Sequence, residues 1–285
     1  MKQLSNKTIA LTGAASGIGR ALAIELANEG CHLALADKDS AGLEETQRTV
    51  QQIYSQPDAT TAPKVTLHTM DVASKEQVDS WADAVVQAHG QVDLVINNAG
   101  VALSGSIEEI TVEDFNWVFD VVFYGVLYGT KAFLPYLRQR PEAHIVNISS
   151  VNGFFPFPNN APYNCAKHAV KALNQTLMQE LRDSHIKVTS VHPGGIGTNI
   201  VNSSRFVGAN DNEVHREKVK SSFQSVAKTT AETAAHVIIK GIKRDKQRLL
   251  VGRDAYVLDW LNRLFPQGFS NLVGRTMLKN STAKT

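Results

Sequence analysis

A chain of 285 residues with 43% hydrophobic and 20% charged side chains can bury a large core without disulfides. Its formal net charge of +2 gives no overall field for nucleic acid or an acidic membrane. The two cysteines, Cys31 and Cys165, show neither a disulfide framework nor zinc spacing, and they read as reduced thiols of a cytoplasmic protein.

The first apolar run, within MKQLSNKTIALTG, is too short for a signal peptide and leads into a strand. No run of about 18 apolar residues argues for a membrane span. The most apolar stretch, WVFDVVFYGVLYG at 117–129, is interrupted by Asp120 and reads as a buried helix. In chain order, strands are expected at 8–12, 32–36, 65–70, 92–97, 144–149, 187–192 and, weakly, 248–252. Helical periodicity falls between them, at about 18–29, 40–54, 75–89, 112–138, 161–184 and 230–243. Strands separated by helix-length segments need crossovers, so the pattern implies a parallel sheet covered on both faces. The fold class is α/β, one doubly wound domain over residues 1–252. Residues 193–228 are an insert after the sixth strand and read as a substrate lid. Residues 253–285 are a helical tail of the same domain or an oligomer contact, with Val257, Leu258, Leu261 and Leu264 expected on one apolar face.

TGAASGIGRALAIELA (12–27) follows the first strand directly and opens a helix. Gly13 permits the tight turn, Gly17 lets backbone approach a pyrophosphate, and Gly19 lets helix and strand pack closely. The helix N-terminus offers unpaired N–H groups to phosphates. Asp37 ends the second strand, 24 residues beyond Gly13, where a carboxylate can accept from an adenosine ribose and repel a 2′-phosphate. That favours NAD over NADP, although Lys38 next door could tolerate a phosphate. Further on, Tyr163 and Lys167 stand four apart in YNCAKHAVKAL, on one helical face.

With NNAG at 97–100 between the glycine loop and this pair, the chain resembles the short-chain dehydrogenase/reductase family over roughly residues 5–252. The resemblance implies a Rossmann-like fold of strand order 3-2-1-4-5-6-7 that binds a nicotinamide dinucleotide. It implies a cofactor site from Gly13, Ser16, Gly17, Ile18, Gly19 and Asp37, with Asp71 and Val72 at the adenine and Asn98, Ala99 and Gly100 lining the cofactor. Pro193, Gly194, Ile196 and Thr198 match the stretch that holds the nicotinamide, and Asn97 a residue that steadies the sheet. Ser150, 13 positions before Tyr163, matches the catalytic serine, giving Ser150, Tyr163 and Lys167 as catalytic residues, with Tyr163 and Lys167 also at the cofactor and Lys167 gripping the nicotinamide ribose. Family members commonly pair their two long helices into homodimers or homotetramers. Many also carry an asparagine three positions before a glycine in the fourth helix, whose freed carbonyl holds a relay water; Val122 stands there here.

A free phenol, with pKa near 10, is a poor base at neutral pH. Lys167 and a cationic nicotinamide are expected to lower that of Tyr163, while Ser150 holds the substrate oxygen. No metal is implied, because the nine histidines lack ligand spacing; His32, His68 and His144 read as strand-surface residues. Phe154, Phe155 and Phe157, with Ile200, Val201 and Phe206, suggest an apolar pocket for a hydrophobic alcohol or carbonyl compound. The reading is an NAD-dependent oxidoreductase acting on a small hydrophobic, secondary alcohol or its ketone. Its rivals are a catalytically weak dinucleotide sensor and a serine hydrolase, the latter lacking any G-x-S-x-G elbow.

Overall fold

The computed structural model describes residues 1–55, 63–198, 204–208, 211–213, 216–217, 220–221, 227–266 and 268. Seven parallel strands form the main sheet: β1 (Thr8–Thr12), β2 (His32–Asp37), β3 (Val65–Thr69), β4 (Leu94–Asn97), β5 (Ala143–Ile148), β6 (Ile186–Pro193) and β7 (Arg248–Val251). Their spatial order, 3-2-1-4-5-6-7, is the one expected. The chain winds outward from β1 in one direction and from β4 in the other, which opens a crevice at their carboxyl ends.

Side-chain alternation divides the core. Ile9 and Leu11 of β1, with Leu33 and Leu35 of β2, face a cluster holding Leu22 and Leu26 of α1 (Gly17–Asn28), Leu43 of α2 (Ser40–Tyr54) and Ile238 of α7 (Ala231–Lys243). Ala10 and Ala34 point the other way, beside Val95 and Ile145. There they meet Trp81 of α3 (Lys75–His89), Phe133 of α5 (Gly125–Leu137) and Leu177 of α6 (Ala161–Glu180). Each fully buried leucine or phenylalanine contributes roughly 1.5–3 kcal/mol by leaving water.

The long helix expected at 112–138 is interrupted. It runs as α4 (Val112–Phe119), a π-helical turn (Asp120–Tyr124) and α5. The stretch Val112–Leu137 is long and apolar enough to cross a membrane, with a mean hydropathy of 1.2 in its most apolar window. Here its α5 part packs on α3 and the sheet, as a core helix does.

The last helix, α8 (Arg253–Leu264), turns differently from expectation. Its buried contacts come from Ala255 and half-buried Leu258, against Phe154, Phe155 and Leu250. Val257 and Leu264 are exposed, together with Tyr256 and Trp260. The cause is that Ala255 and Leu258, three apart, line the seam with β7, and Val257 and Leu264 fall on the opposite side. One histidine reading also changes. His144 is fully buried with Nε2 on the Thr189 hydroxyl at 2.8 Å, and burial pushes its pKa down to about 3. His32 and His68 are half-buried.

Candidate active site

The glycine loop is held from behind. The Asn98 amide donates to the Thr12 and Gly13 carbonyls at 3.0 and 3.2 Å, while the Thr12 hydroxyl accepts from the backbone of Asn98 and Ala99. Gly13 has φ +69°, and a Cβ on Gly19 would stand 1.9 Å from the Gly13 carbonyl oxygen. Both positions therefore exclude a side chain. Asp37 Oδ2 accepts from the Ala15 backbone at 3.0 Å, and its Oδ1 from Asp39 at 3.1 Å. The strand-end acid thus braces the loop as well as reaching toward the crevice.

The N-termini of α2, α3, α4 and α7 are each closed by a side-chain cap, from Asp39, Ser74, Thr111 and Thr230. Ser16, at the start of α1, makes no such bond, and the first turn of α1 carries no acid. The N–H groups at Gly17 therefore stay available to an anion. Ser16 and Gly17 also line a cavity of about 400 Å³ with Arg20, Gly197 and Thr198, whose other wall is Ala21, Ile24, Ala231 and the acidic Glu232. These features fit a dinucleotide's phosphates. Ile18 packs on the core beneath.

The other cofactor-site candidates surround this crevice. Asp71 is exposed and caps its own turn through the Ala73 N–H, and buried Val72 sits under Gly125. Ala99 and Gly100 continue from β4, Gly100 lying close to Lys167 Nζ. Pro193 ends β6, and a Cβ on Gly194 would meet Asp254, whose carboxylate accepts from Gly195 at 2.6 Å. Ile196 is buried in a two-residue bridge to Thr229–Thr230, and Thr198 touches the space over Gly17.

Ser150, at the end of β5, and Tyr163 and Lys167, in the first turns of α6, come together. Ser150 lies beside Tyr163, where its hydroxyl favours the ionised phenol. Lys167 is buried, its Nζ 5.5 Å from the Tyr163 ring centroid and donating to the Ile148 carbonyl at 2.7 Å. Val122 and Ala166 form the apolar wall against which the ring packs.

The electrostatics run against the expectation of a lowered phenol. Burial pushes Tyr163 up to about 12, with the Ser150 hydroxyl opposing, and pulls Lys167 down to about 7. Desolvation disfavours the charged form of each.

The expected aromatic pocket is also redrawn. Phe154 and Phe155 are buried in the cluster beneath α8, and Phe157 alone of the three is half-buried. Phe206 is buried where Arg205–Phe206 pairs with Leu103–Ser104, tying the insert to the loop after β4. Ile200 and Val201 lie outside the described residues, as does much of the expected lid.

Sequence reasoning missed a buried polar chain. Asn97 donates to Thr130 and to Asn147, Asn147 to Asn174, and Asn174 to Ser190. Ser190 meets His192, whose other ring nitrogen reaches the Ser150 carbonyl at 3.1 Å. Burial pushes His192 down to about 4, so the neutral ring donates there. Only a polar residue recurring in apolar strand and helix patterns could have signalled it.

At Val122 the backbone bulges although no asparagine is present: Gly125 donates to the Asp120 carbonyl, five residues back. The π-turn thus survives a β-branched residue. Val122 is fully buried, packed with Leu103, Val118 and Ala166. Val122→Asn is therefore expected to change kcat by less than about tenfold, ~1.4 kcal/mol of barrier, while lowering Tm by burying an amide. Steady-state rates with a thermal melt check both halves, and a much larger rate gain would mean that valine cripples the site.

Comparison with known proteins agrees with this architecture. The family described as short chain dehydrogenase matches residues 7–206. SadH of Mycobacterium tuberculosis, named as an oxidoreductase, is 37% identical over 281 residues, covering 98% of each chain. A short-chain dehydrogenase/reductase of Burkholderia phymatum, solved in complex with NAD, superposes with a TM-score of 0.81 at 31% identity, over 92% of this chain and 95% of that one. An alcohol dehydrogenase of Thermococcus sibiricus complexed with 5-hydroxy-NADP gives 0.71 at 25% identity, over 87% and 96%. The chain belongs to the short-chain dehydrogenase/reductase family of NAD-type oxidoreductases.

Proposed function

We propose that the protein interconverts a small hydrophobic secondary alcohol and its ketone, using NAD, as a cytoplasmic homo-oligomer with residues 1–252 as its dehydrogenase domain. The observation that carries this reading is the gathering of Tyr163 and buried Lys167, whose Nζ lies 5.5 Å from the Tyr163 ring centroid, beside Ser150 at the strand ends that also carry the open glycine loop. A bound nicotinamide dinucleotide supplies the hydride acceptor or donor. The chain's own residues supply the rest.

Gly17 and its neighbours in the first turn of α1 hold the phosphates, and Asp37 accepts from the ribose. Ser150 orients the substrate oxygen against Tyr163. In reduction the phenol donates its proton to the developing alkoxide; in oxidation Tyr163 takes that proton back. Lys167 shares the proton with the phenol. The apolar wall of Val122, Val118 and Leu103 excludes water behind the ring. Half-buried Phe157 supplies an apolar surface for the substrate.

The test is absorbance at the reduced-nicotinamide band with a panel of secondary alcohols and ketones, run with NAD and with NADP. No turnover with either cofactor, while binding of reduced nicotinamide persists, would favour the dinucleotide-sensor reading.

Cofactor choice has its own test at Asp37. Removing the carboxylate in Asp37→Ala takes away the ribose acceptor and also the brace on Ala15. The kcat/KM for NAD is expected to fall at least about tenfold, the equivalent of ~1.4 kcal/mol. That for NADP should rise, without reaching the wild-type value for NAD because the loop is looser. Equal kcat/KM values for both cofactors in the wild type would show that Lys38 overrides the acid.

A further inference from the structure

The Ser150 hydroxyl is more constrained than a catalytic serine needs to be. Its Oγ accepts from the Asn152 backbone N–H at 3.2 Å, and its proton goes to the Asn152 side-chain oxygen, also at 3.2 Å. A hydroxyl has one proton and two lone pairs, so the proton of Ser150 is committed to Asn152 and one lone pair remains on the side of Tyr163.

The direction of the Asn152 amide is set elsewhere. Its nitrogen donates to Asn164 Oδ1 at 2.8 Å. Asn164 in turn is fixed by one residue's backbone: its Nδ2 donates to the Phe157 carbonyl at 2.7 Å and its Oδ1 accepts from the Phe157 N–H at 3.3 Å. Reversing Asn164 would face like groups together at both bonds, so the backbone dictates its orientation. Asn164 dictates that of Asn152, and Asn152 that of the Ser150 proton. Asn164 is buried, and Asn152 lies in the 3₁₀ turn Val151–Gly153.

We propose that Asn152 and Asn164 are positioning residues that hold the Ser150 proton away from Tyr163 and the substrate oxygen, and that release it when the backbone at Phe157 shifts on substrate entry. The proposal rests on the Ser150–Tyr163–Lys167 reading above. Two consequences follow from the hydrogen-bond count. A phenolate at Tyr163 needs the Ser150 proton, and taking it strands the Asn152 oxygen, which costs free energy. A carbonyl substrate needs the same proton. Both demands are met if the Phe157 segment, whose ring is half-buried at the expected pocket, relaxes the Asn164 clamp.

Among the described residues the charged and titratable groups around Tyr163 are few, and Arg205, stacked on the Trp117 ring of the same apolar cluster, is one of them. Lys167 shares its helix, and His192, on β6, reaches the Ser150 carbonyl from behind. The residues of α4 and the π-turn that pack on it, Val118, Phe119, Val122 and Phe123, carry no charge. A change in the ionisation of Tyr163 on substituting Asn152 or Asn164 therefore reports on the Ser150 proton.

The experiment measures kcat/KM for alcohol oxidation against pH, with Tm and reduced-nicotinamide binding as controls for folding. Asn152→Ala removes the competing acceptor, so the alkaline-activated limb should move about one pH unit lower. Asn164→Leu should move it the same way by less, because Asn152 is freed to rotate. Asn164→Asp, which still accepts from the Asn152 nitrogen, should leave the limb at or above its wild-type position. Limbs unmoved in Asn152→Ala and Asn164→Leu, or a shift in Asn164→Asp equal to that in Asn164→Leu, would overturn the proposal and leave the two amides as loop supports. If the wild type turns over no alcohol, the functional reading itself fails. Phenolate absorption of the NAD complex, with Tyr163→Phe as the blank, then decides: earlier ionisation in Asn152→Ala supports the clamp, and identical ionisation overturns it.

Discussion

Tyr163→Phe is expected to lower kcat by about 10²–10⁴-fold, the range that a positioned general acid–base contributes. Binding of NADH should stay within about threefold of wild type, under 1 kcal/mol. The reasoning is local. The ring keeps its packing against Val122 and Ala166 on the wall beneath the loop after β4, and its position in the first turn of α6 is unchanged. Only the hydroxyl departs. Ser150 keeps its two bonds to Asn152, so no buried group is stranded at the end of β5. Stopped-flow hydride transfer and fluorescence titration with NADH separate the two quantities. Substantial residual turnover would mean that another group carries the proton, and the assignment of Tyr163 would fall.

Most of the scaffold was legible because the sequence repeats one physical pattern. Continuous apolar runs such as LVIN at Leu94–Asn97 are what a strand buried on both faces requires, and helix-length segments between them force parallel crossovers. The glycine loop was legible for a stricter reason: Gly13 and Gly19 sit where no other residue fits. What stayed hidden depends on a side chain's partner, which periodicity does not encode. Phe154 and Phe155 look like pocket residues in a loop, yet they are core because α8 folds over them. His144 alternates like a surface residue, but a strand covered on both sides buries either face. The π-turn at Asp120–Tyr124 left no trace in composition, since Val122 stands where many family members carry an asparagine. The amide pair Asn152 and Asn164 was visible only as two polar letters near Ser150 and Tyr163.

Lys167→Met is expected to abolish most alcohol oxidation at pH 7, by about 10²–10⁴-fold, and to do so with a marked pH signature. Burial places the lysine near 7 and the phenol near 12 in the ligand-free site. Below about 7 the pair holds two protons, as phenol and ammonium, and is ready for ketone reduction. Above it the pair holds one. That proton can sit on the phenol or on the amine, and the second arrangement is a phenolate beside an ammonium, the form that oxidation needs. Oxidation in the wild type should therefore rise with pH through about 7. With methionine the shared-proton form no longer exists, and a phenolate requires full ionisation of a phenol that burial holds far higher. The oxidative limb should move alkaline by more than two units, a displacement worth roughly 2.7 kcal/mol. Ketone reduction, which uses the neutral phenol, should lose less at neutral pH. The Ile148 carbonyl also loses its donor, so a thermal melt must accompany the kinetics to show that the end of β5 still holds Ser150 in place. If both directions fall equally and the limb stays near 7, the lysine acts only by gripping the cofactor, and the proton-sharing account of the pair is wrong.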